Sequence, residues 1–460
     1  MSLSPPARRA SGTAALAIAL TLAVLVSSGA AFSAAGPKRL QAVDNAKRGL
    51  TAAVKGGRIT PADAARYRGF LARTAFALPR LDGARNANLR AVLNDVANGA
   101  DRYTTPRALT LFSMLDVNTR YFGTSAPPRT KTDVRGPDMV LYRYFPGHGL
   151  QFHPLGNFGA LNAHLAAGQL DEARQLADAL TARAVDRGNG STVWEYEFRF
   201  SGGKPPWTSG MAQAVGAQSL ARASQKLADP SLLELARRAH AAIPGKLIRQ
   251  LSAGPWVKLY SFSTMAVLNA QLQAAVAIRD YAEIAADTNA GSLADSMTKA
   301  ARAMLPRLDT GYWTLYSIGG AEENLGYHDY VIFLLGRLKT QTKDTFWSDA
   351  STRFKQYVTQ PPLFRTGPPA KIAMPVMKPK PRARVPLTFS FWLSKSSSLV
   401  VRVGSMQRNM TLGHGWHTLT WSLPRSRPGV FPVAVQARPV AGPSATTTLL
   451  PLVVLGKAQA

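Results

Sequence analysis

Apolar residues recur at helical spacing through most of the chain and switch to strict alternation near its end. Leu170, Ala173, Ala177, Leu180 and Ala184 predict an amphipathic helix from Leu170 to Val185. Thr60, Pro61 and Asp63 open another, with Thr60 as N-cap, Pro61 at the first helical position and Asp63 closing a capping box. A helix is expected from Trp207 through Gln213 to Leu227, and one started by Asp229 and Pro230 runs to about Ala242. A last helix, Thr342 to Val358, turns Trp347, Phe354 and Tyr357 to the core. Between these helices, Ser191 to Phe200 alternates as a strand, with Trp194, Tyr196 and Phe198 opposite Glu195, Glu197 and Arg199. Beyond Pro386 the period is two. Leu387, Phe389, Phe391 and Leu393 alternate, as do Leu399, Val401 and Val403, then Leu419 and Trp421, then Phe431, Val433 and Val435. The expectation is a mainly α protein of antiparallel helix pairs, followed by a small all-β sandwich.

The densest chemistry lies in Ala303 to Leu335, which gathers tyrosines and carboxylates around a turn made by Pro306 and Asp309-Thr310-Gly311. Tyr312 to Ile318 reads as a short strand, and a helix restarts near Tyr327. Its runs Ala303-Met304-Leu305-Pro306, Leu308-Asp309-Thr310-Gly311 and Thr314-Leu315-Tyr316 resemble A-M-L-P, L-Y-D-T-G and T-I-Y-D of the D-glucuronyl C5-epimerase C-terminal domain family. Trp207-Thr208-Ser209-Gly210-Met211-Ala212-Gln213 resembles the family's W-Y-S-A-M-A-Q, Val267-Leu268-Asn269 its V-L-N, and Tyr327-His328 its Y-H. The motifs occur in the family's order between Trp207 and about Leu335.

The resemblance implies an α/α-toroid, incomplete as a barrel, with a cleft suited to a polymer chain. It also implies epimerisation at carbon 5 of a uronic acid, without a metal or other cofactor. Tyr260, Tyr316 and Tyr327 take the family's catalytic tyrosine positions. Lys258, Glu195, Arg199, Trp207, Gln213, Asn269 and His328 are the substrate-binding candidates. The family's glutamate before the first tyrosine is replaced by Leu259. Lys258, Glu195, Glu197 and Glu322 are the candidate substitutes, and Lys258 could instead hold the substrate carboxylate. The chemistry asks for a proton-transferring group on each face of the ring and for donors that neutralise the carboxylate. A tyrosine acting as base needs its phenol lowered from about 10 by nearby cations. Half-buried packing is the ordinary state of a tyrosine, and joint placement in the motifs sets these three apart. A uronate lyase sharing the first proton abstraction, and a non-catalytic binder of anionic glycan, remain open alternatives. His148 and His153 lack a recognisable ligand spacing and read as packed or substrate-facing.

Residues 1–35 carry Arg8 and Arg9, an apolar run and a small-residue end, which reads as a secretory signal peptide. Residues 36–137 read as a helical region, 138–359 as the epimerase-like domain, 360–386 as a proline-rich basic linker, and 387–457 as an immunoglobulin-like sandwich. The chain has no cysteine, so its stability must come from core burial. A formal charge of +29 favours a polyanionic partner. No nucleic-acid-binding signature accompanies the charge, so an anionic polysaccharide met outside the cell is expected, with cell-envelope association open.

Overall fold

A computed structural model describes residues 37–366, 384–424 and 429–454. The leader at 1–35 and residues 367–383 of the expected linker lie outside the described residues. The chain divides into two compact units, one holding residues up to 208 together with 212–242, the other holding 209–211 and the residues from 243 onward.

The first unit opens with α1 (Pro37–Lys55), α2 (Pro61–Ala77), α3 (Gly83–Asn98) and α4 (Thr105–Thr124). The Thr60 hydroxyl accepts from the Asp63 amide at 3.0 Å and donates to the Asp63 carboxylate at 2.8 Å, so the expected cap forms. A three-stranded antiparallel sheet follows, β1 (Asp133–Arg135), β2 (Leu141–Phe145) and β3 (Gly149–Phe152). After it come α5 (Pro154–Ala167) and α6 (Leu170–Thr181), then the two-residue strands β4 (Val185–Asp186) and β5 (Thr192–Val193). Helix α6 stops earlier than its periodicity predicts because Val185 leaves to pair with Val193. His153 is buried, and its Nδ1 accepts from the Gly156 amide at 2.9 Å, so it caps α5.

The strand expected over Ser191 to Phe200 does not extend past β5. Tyr196 bridges Trp207 at a single position, and no ladder forms. Alternation misleads there because both sides are buried: Glu195 and Glu197 are each 3% exposed and are matched by arginines. Helices α7 (Gly210–Lys226) and α8 (Pro230–Ala241) succeed it, with Asp229 capping α8 through the Ser231 amide at 3.0 Å.

The second unit runs through the short α9 (Ile243–Lys246), the hairpin β6 (Ile248–Leu251) and β7 (Gly254–Val257), and the helices α10 (Leu268–Ala285), α11 (Thr288–Met304), α12 (Leu325–Thr342) and α13 (Thr345–Thr359). Helix α10 is buried along almost its whole length, which a helix walled by neighbours requires. Trp347, Phe354 and Tyr357 of α13 face the core as expected. The described residues are mainly α, in helix pairs joined by short connections. They end in antiparallel sheets: β11 (Met406–Leu412), β10 (Ser397–Val403), β13 (Gly429–Pro439) and β14 (Ala445–Val454) form one, and β12 (Gly415–Pro424), β9 (Arg384–Leu393) and β8 (Phe364–Thr366) the other. Phe391, Leu393, Leu399, Val401, Val403, Trp421, Val433 and Val435 make their core, the alternation seen in the sequence. Strand β8 and the start of β9 fall within the segment read as a linker, so that segment contributes to a sheet.

Candidate active site

The loop between α11 and α12 folds as a compact double turn rather than the short strand that the Tyr312 to Ile318 alternation predicts. The Asp309 carboxylate accepts from the Gly311 amide at 2.8 Å, and the chain passes Gly311 at a φ of 82°, where only glycine is unstrained. Asp309 also accepts from Arg353 and from the Tyr357 hydroxyl, both at 2.9 Å, which pins the first turn to α13. On the return, the Tyr316 amide donates to Ala321 and the Glu323 amide to Thr314, both at 2.9 Å. Glu323 is thereby set beside Thr314. Asn324 then caps α12, its side chain accepting from the Tyr327 amide at 3.1 Å. This puts Tyr327 and His328 on the first helical turn.

Tyr316 and Tyr327 meet, with ring centroids 5.2 Å apart at 60°. Burial pushes the Tyr316 phenol up to about 12, and the Glu323 carboxyl adds to the rise once it ionises at high pH. The expected lowering by cations is therefore reversed at this tyrosine: burial dominates, and its charged-group neighbour is a carboxyl and not an arginine or lysine. Glu323 itself is 3% exposed, and burial pushes it up to about 8.

A chain of hydrogen bonds fixes the protons around it. His328 Nε2 lies 2.9 Å from the Phe354 carbonyl, which can only accept, so Nε2 carries the hydrogen. Nδ1 then accepts from Thr314 Oγ1 at 2.7 Å. Having given up its one proton, Thr314 accepts at 2.7 Å from Glu323, which must be protonated. Burial lowers His328 to about 4, so the ring is neutral as this arrangement needs. The assignment reverses the usual direction for a carboxylate and makes Glu323 a buried acid.

Tyr260 follows β7 and stacks on Phe262, centroids 5.5 Å apart. Its segment runs into a bridge between Val267 and Ser317, where the Leu268 amide donates to Tyr316 and the Ile318 amide to Ala266, each at 3.1 Å. Lys258 is half-buried, and its carbonyl accepts from the Gly210 amide at 3.0 Å. A side chain at Gly210 would lie 2.6 Å from Val257 and 2.7 Å from the Lys258 carbonyl, which explains the glycine in the Trp207 to Gln213 motif. Leu259, standing where the family has its glutamate, is buried. Asn269 is 1% exposed, and its Oδ1 has no hydrogen-bond partner among the described residues.

Several expected substrate contacts are corrected by their surroundings. Trp207 stacks on Tyr196 at 4.0 Å and donates to the Phe198 carbonyl at 2.8 Å, inside the core. The Gln213 side chain accepts from the Trp194 amide at 3.1 Å and donates to the Thr192 carbonyl at 2.9 Å, so it braces β5. Glu195 is held by Arg107 at 2.7 Å and Arg187 at 2.9 Å. His328 is fully buried, flat against Trp313 at 3.9 Å, and positions Thr314 instead of meeting a ligand. Arg199 is exposed. Of the proposed substitutes for the glutamate, Glu197 is buried beside Arg102 and pushed up to about 7. Glu322 Oε2 accepts from the Ser396 amide at 2.8 Å and the His414 amide at 3.0 Å. Glu323 is not one of the residues that the sequence singles out.

Residues 188–356 match the sequence model of the family described as D-glucuronyl C5-epimerase C-terminus. No curated protein matches the chain. Among solved structures, cellobiose 2-epimerase from Bacillus thermoamylovorans is similar with a TM-score of 0.39 and 13% identity, over 60% of this chain and 74% of that one. D-mannose isomerase gives 0.36 and 12%, over 59% and 73%. An endo-β-1,4-glucanase from Acetobacter xylinum gives 0.35 and 10%, over 45% and 69%. At scores this low the similarities bear on neither activity nor substrate.

Proposed function

We propose that the protein inverts carbon 5 of glucuronic acid units in an anionic polysaccharide, outside the cytoplasm. The reading rests on the contact of Tyr316 with Tyr327 beside the protonated Glu323. Tyr316, held at about 12, keeps its proton at neutral pH and is suited to donating it. In the reaction, the C5–H proton leaves to a base on one face, the electron pair delocalises into the uronate carboxylate, and an acid on the other face returns a proton to C5. Tyr316 and Tyr327 supply the acid face. Tyr260 is the candidate base, and Lys258 the candidate cation for the carboxylate. The buried Leu259 leaves no carboxylate at the family's position, so a neutral carboxyl at Glu323 stands in as donor, not as base. The leader-like residues 1–35 and the charge of +29 support an extracytoplasmic, polyanionic substrate.

The test is incubation of the protein with uronic-acid polymers in heavy water, following C5 deuterium and ring configuration by NMR. Deuterium with inverted sugar is expected. An unsaturated uronate would replace epimerisation by elimination, and absence of exchange on every polymer would remove the catalytic reading.

A further inference from the structure

The outer face of the three-stranded sheet β12-β9-β8 carries a feature that the proton-transfer site does not use. Strand β9 is central there, and Trp392 stands opposite Trp416 of β12 on one side and Arg365 of β8 on the other. Cross-strand partners of this kind project from the same face as near neighbours. Trp416 is 60% exposed, unusual for a side chain with so large an apolar surface. The Arg365 guanidinium lies over the Trp392 ring at 4.7 Å. Two residues along, Ser390 and Thr418 lie opposite one another, their hydroxyls 2.8 Å apart. Trp392 also meets Tyr312 edge-on, centroids 5.5 Å apart. Tyr312 belongs to the turn that leads into Tyr316.

We infer that Trp416, Trp392 and Arg365 form a binding platform for a uronic-acid-containing polysaccharide, extending from the Tyr312 turn across the sheet. A pyranose ring presents C–H groups on its flat face, and an exposed indole is the surface that takes them. The carboxylate of a uronate in the same chain then finds Arg365, already oriented by its stacking and able to form a two-point contact. Ser390 and Thr418 offer hydroxyls to the sugar's own. Charge complementarity selects an acidic glycan over a neutral one. The Tyr312 contact joins the platform to the loop that carries the acid face. This inference rests on the proposed substrate class and adds the surface that would hold the polymer beyond the reacting unit.

The test uses the full chain and an alternating glucuronic acid–N-acetylglucosamine polymer, with the carboxyl-reduced polymer as comparison and binding read by calorimetry. W416A and R365A are each expected to weaken binding about tenfold, the scale of a single good interaction at an interface. R402A, at an exposed side chain on β10 of the other sheet, removes the same charge as R365A and is expected to bind like the unaltered protein. The carboxyl-reduced polymer should bind the unaltered protein weakly and be indifferent to R365A. Equal binding by W416A, R365A and R402A would overturn the platform, as would loss of a dimer in W416A by sedimentation, which would make this face a self-association surface. C5 deuterium is followed on the same samples. Binding that depends on Trp416 without exchange would sink the catalytic reading alone, and exchange with insensitive binding would sink the platform alone.

Discussion

Tyr316 near 12 and Glu323 near 8 are both protonated at neutral pH, so this side of the site can give protons and cannot readily take them. Removing either phenol of the touching pair should therefore abolish transfer while leaving packing almost intact. Y316F and Y327F are each expected to lower C5 exchange about 10²–10⁴-fold, measured as initial deuterium incorporation, with little change in urea midpoint. Glu323 also leaves a signature in stability. Folding raises its carboxyl from 4.5 to about 8, so the folded chain holds the proton more tightly than the unfolded one. That contribution is complete below 4.5, declines as pH rises toward about 8, and is gone above it. E323Q keeps a neutral donor for Thr314 and should lack this decline. Other buried carboxyls, Asp95 and Glu197, contribute in the same direction, so the quantity to measure is the difference between E323Q and the unaltered protein in urea across that range. A constant difference would mean that Glu323 is ionised in the folded chain.

Two glycines separate close approach from mere tolerance at the level of the helix. Gly210 opens α7 with its amide on the Lys258 carbonyl and no room for a further carbon. Gly336, within α12, has nothing within 4 Å of where a Cβ would stand. G210A should destabilise by about 1–3 kcal/mol through overpacking. G336A should stabilise by about 0.5–1 kcal/mol through helix propensity. Urea titration of both variants checks the pair, and a neutral G210A would mean that the α7 start can shift. The helices are legible in the sequence because their caps and periods are local: Thr60, Asp229 and the apolar face of α6 need only neighbours in sequence. The Ser191 to Phe200 and Tyr312 to Ile318 segments are not, since their form depends on partners far along the chain. Buried carboxylates matched by Arg107 and Arg187 make a strand-like alternation where no ladder exists. Tyr316 and Tyr327 are legible through their motifs. The choice between Glu322 and Glu323 turns on a backbone pairing to Thr314 that no local pattern encodes.

At the scale of the molecule, the C-terminal sheets are fastened to the loop that carries the site. Glu322 sits one residue before the buried acid and accepts two amides, from Ser396 and His414. Lys395 is fully buried and donates to the Tyr357 carbonyl at 2.6 Å and the Gln360 carbonyl at 2.7 Å, at the end of α13. A cation at a helix C-terminus meets carbonyls that have no partner within the helix. Burial lowers Lys395 to about 8, and Glu322, pushed up to about 7, acts against that lowering. The two contacts hold opposite ends of one junction and should be coupled. E322A would strand two amides and K395M two carbonyls, each change costing about 1–3 kcal/mol for every buried group left unpaired. In the double variant the combined loss should fall short of the sum, because either break frees the same junction. Hydrogen exchange followed by mass spectrometry gives the local reading. In E322A, protection should fall around Ser396, His414 and the 319–323 turn, while the Leu399 to Val403 strand stays protected by its own core. Uniform loss across that strand would mean that the sheets depend on the junction to fold. No loss at either place would mean that the carboxylate is incidental and other contacts hold the loop.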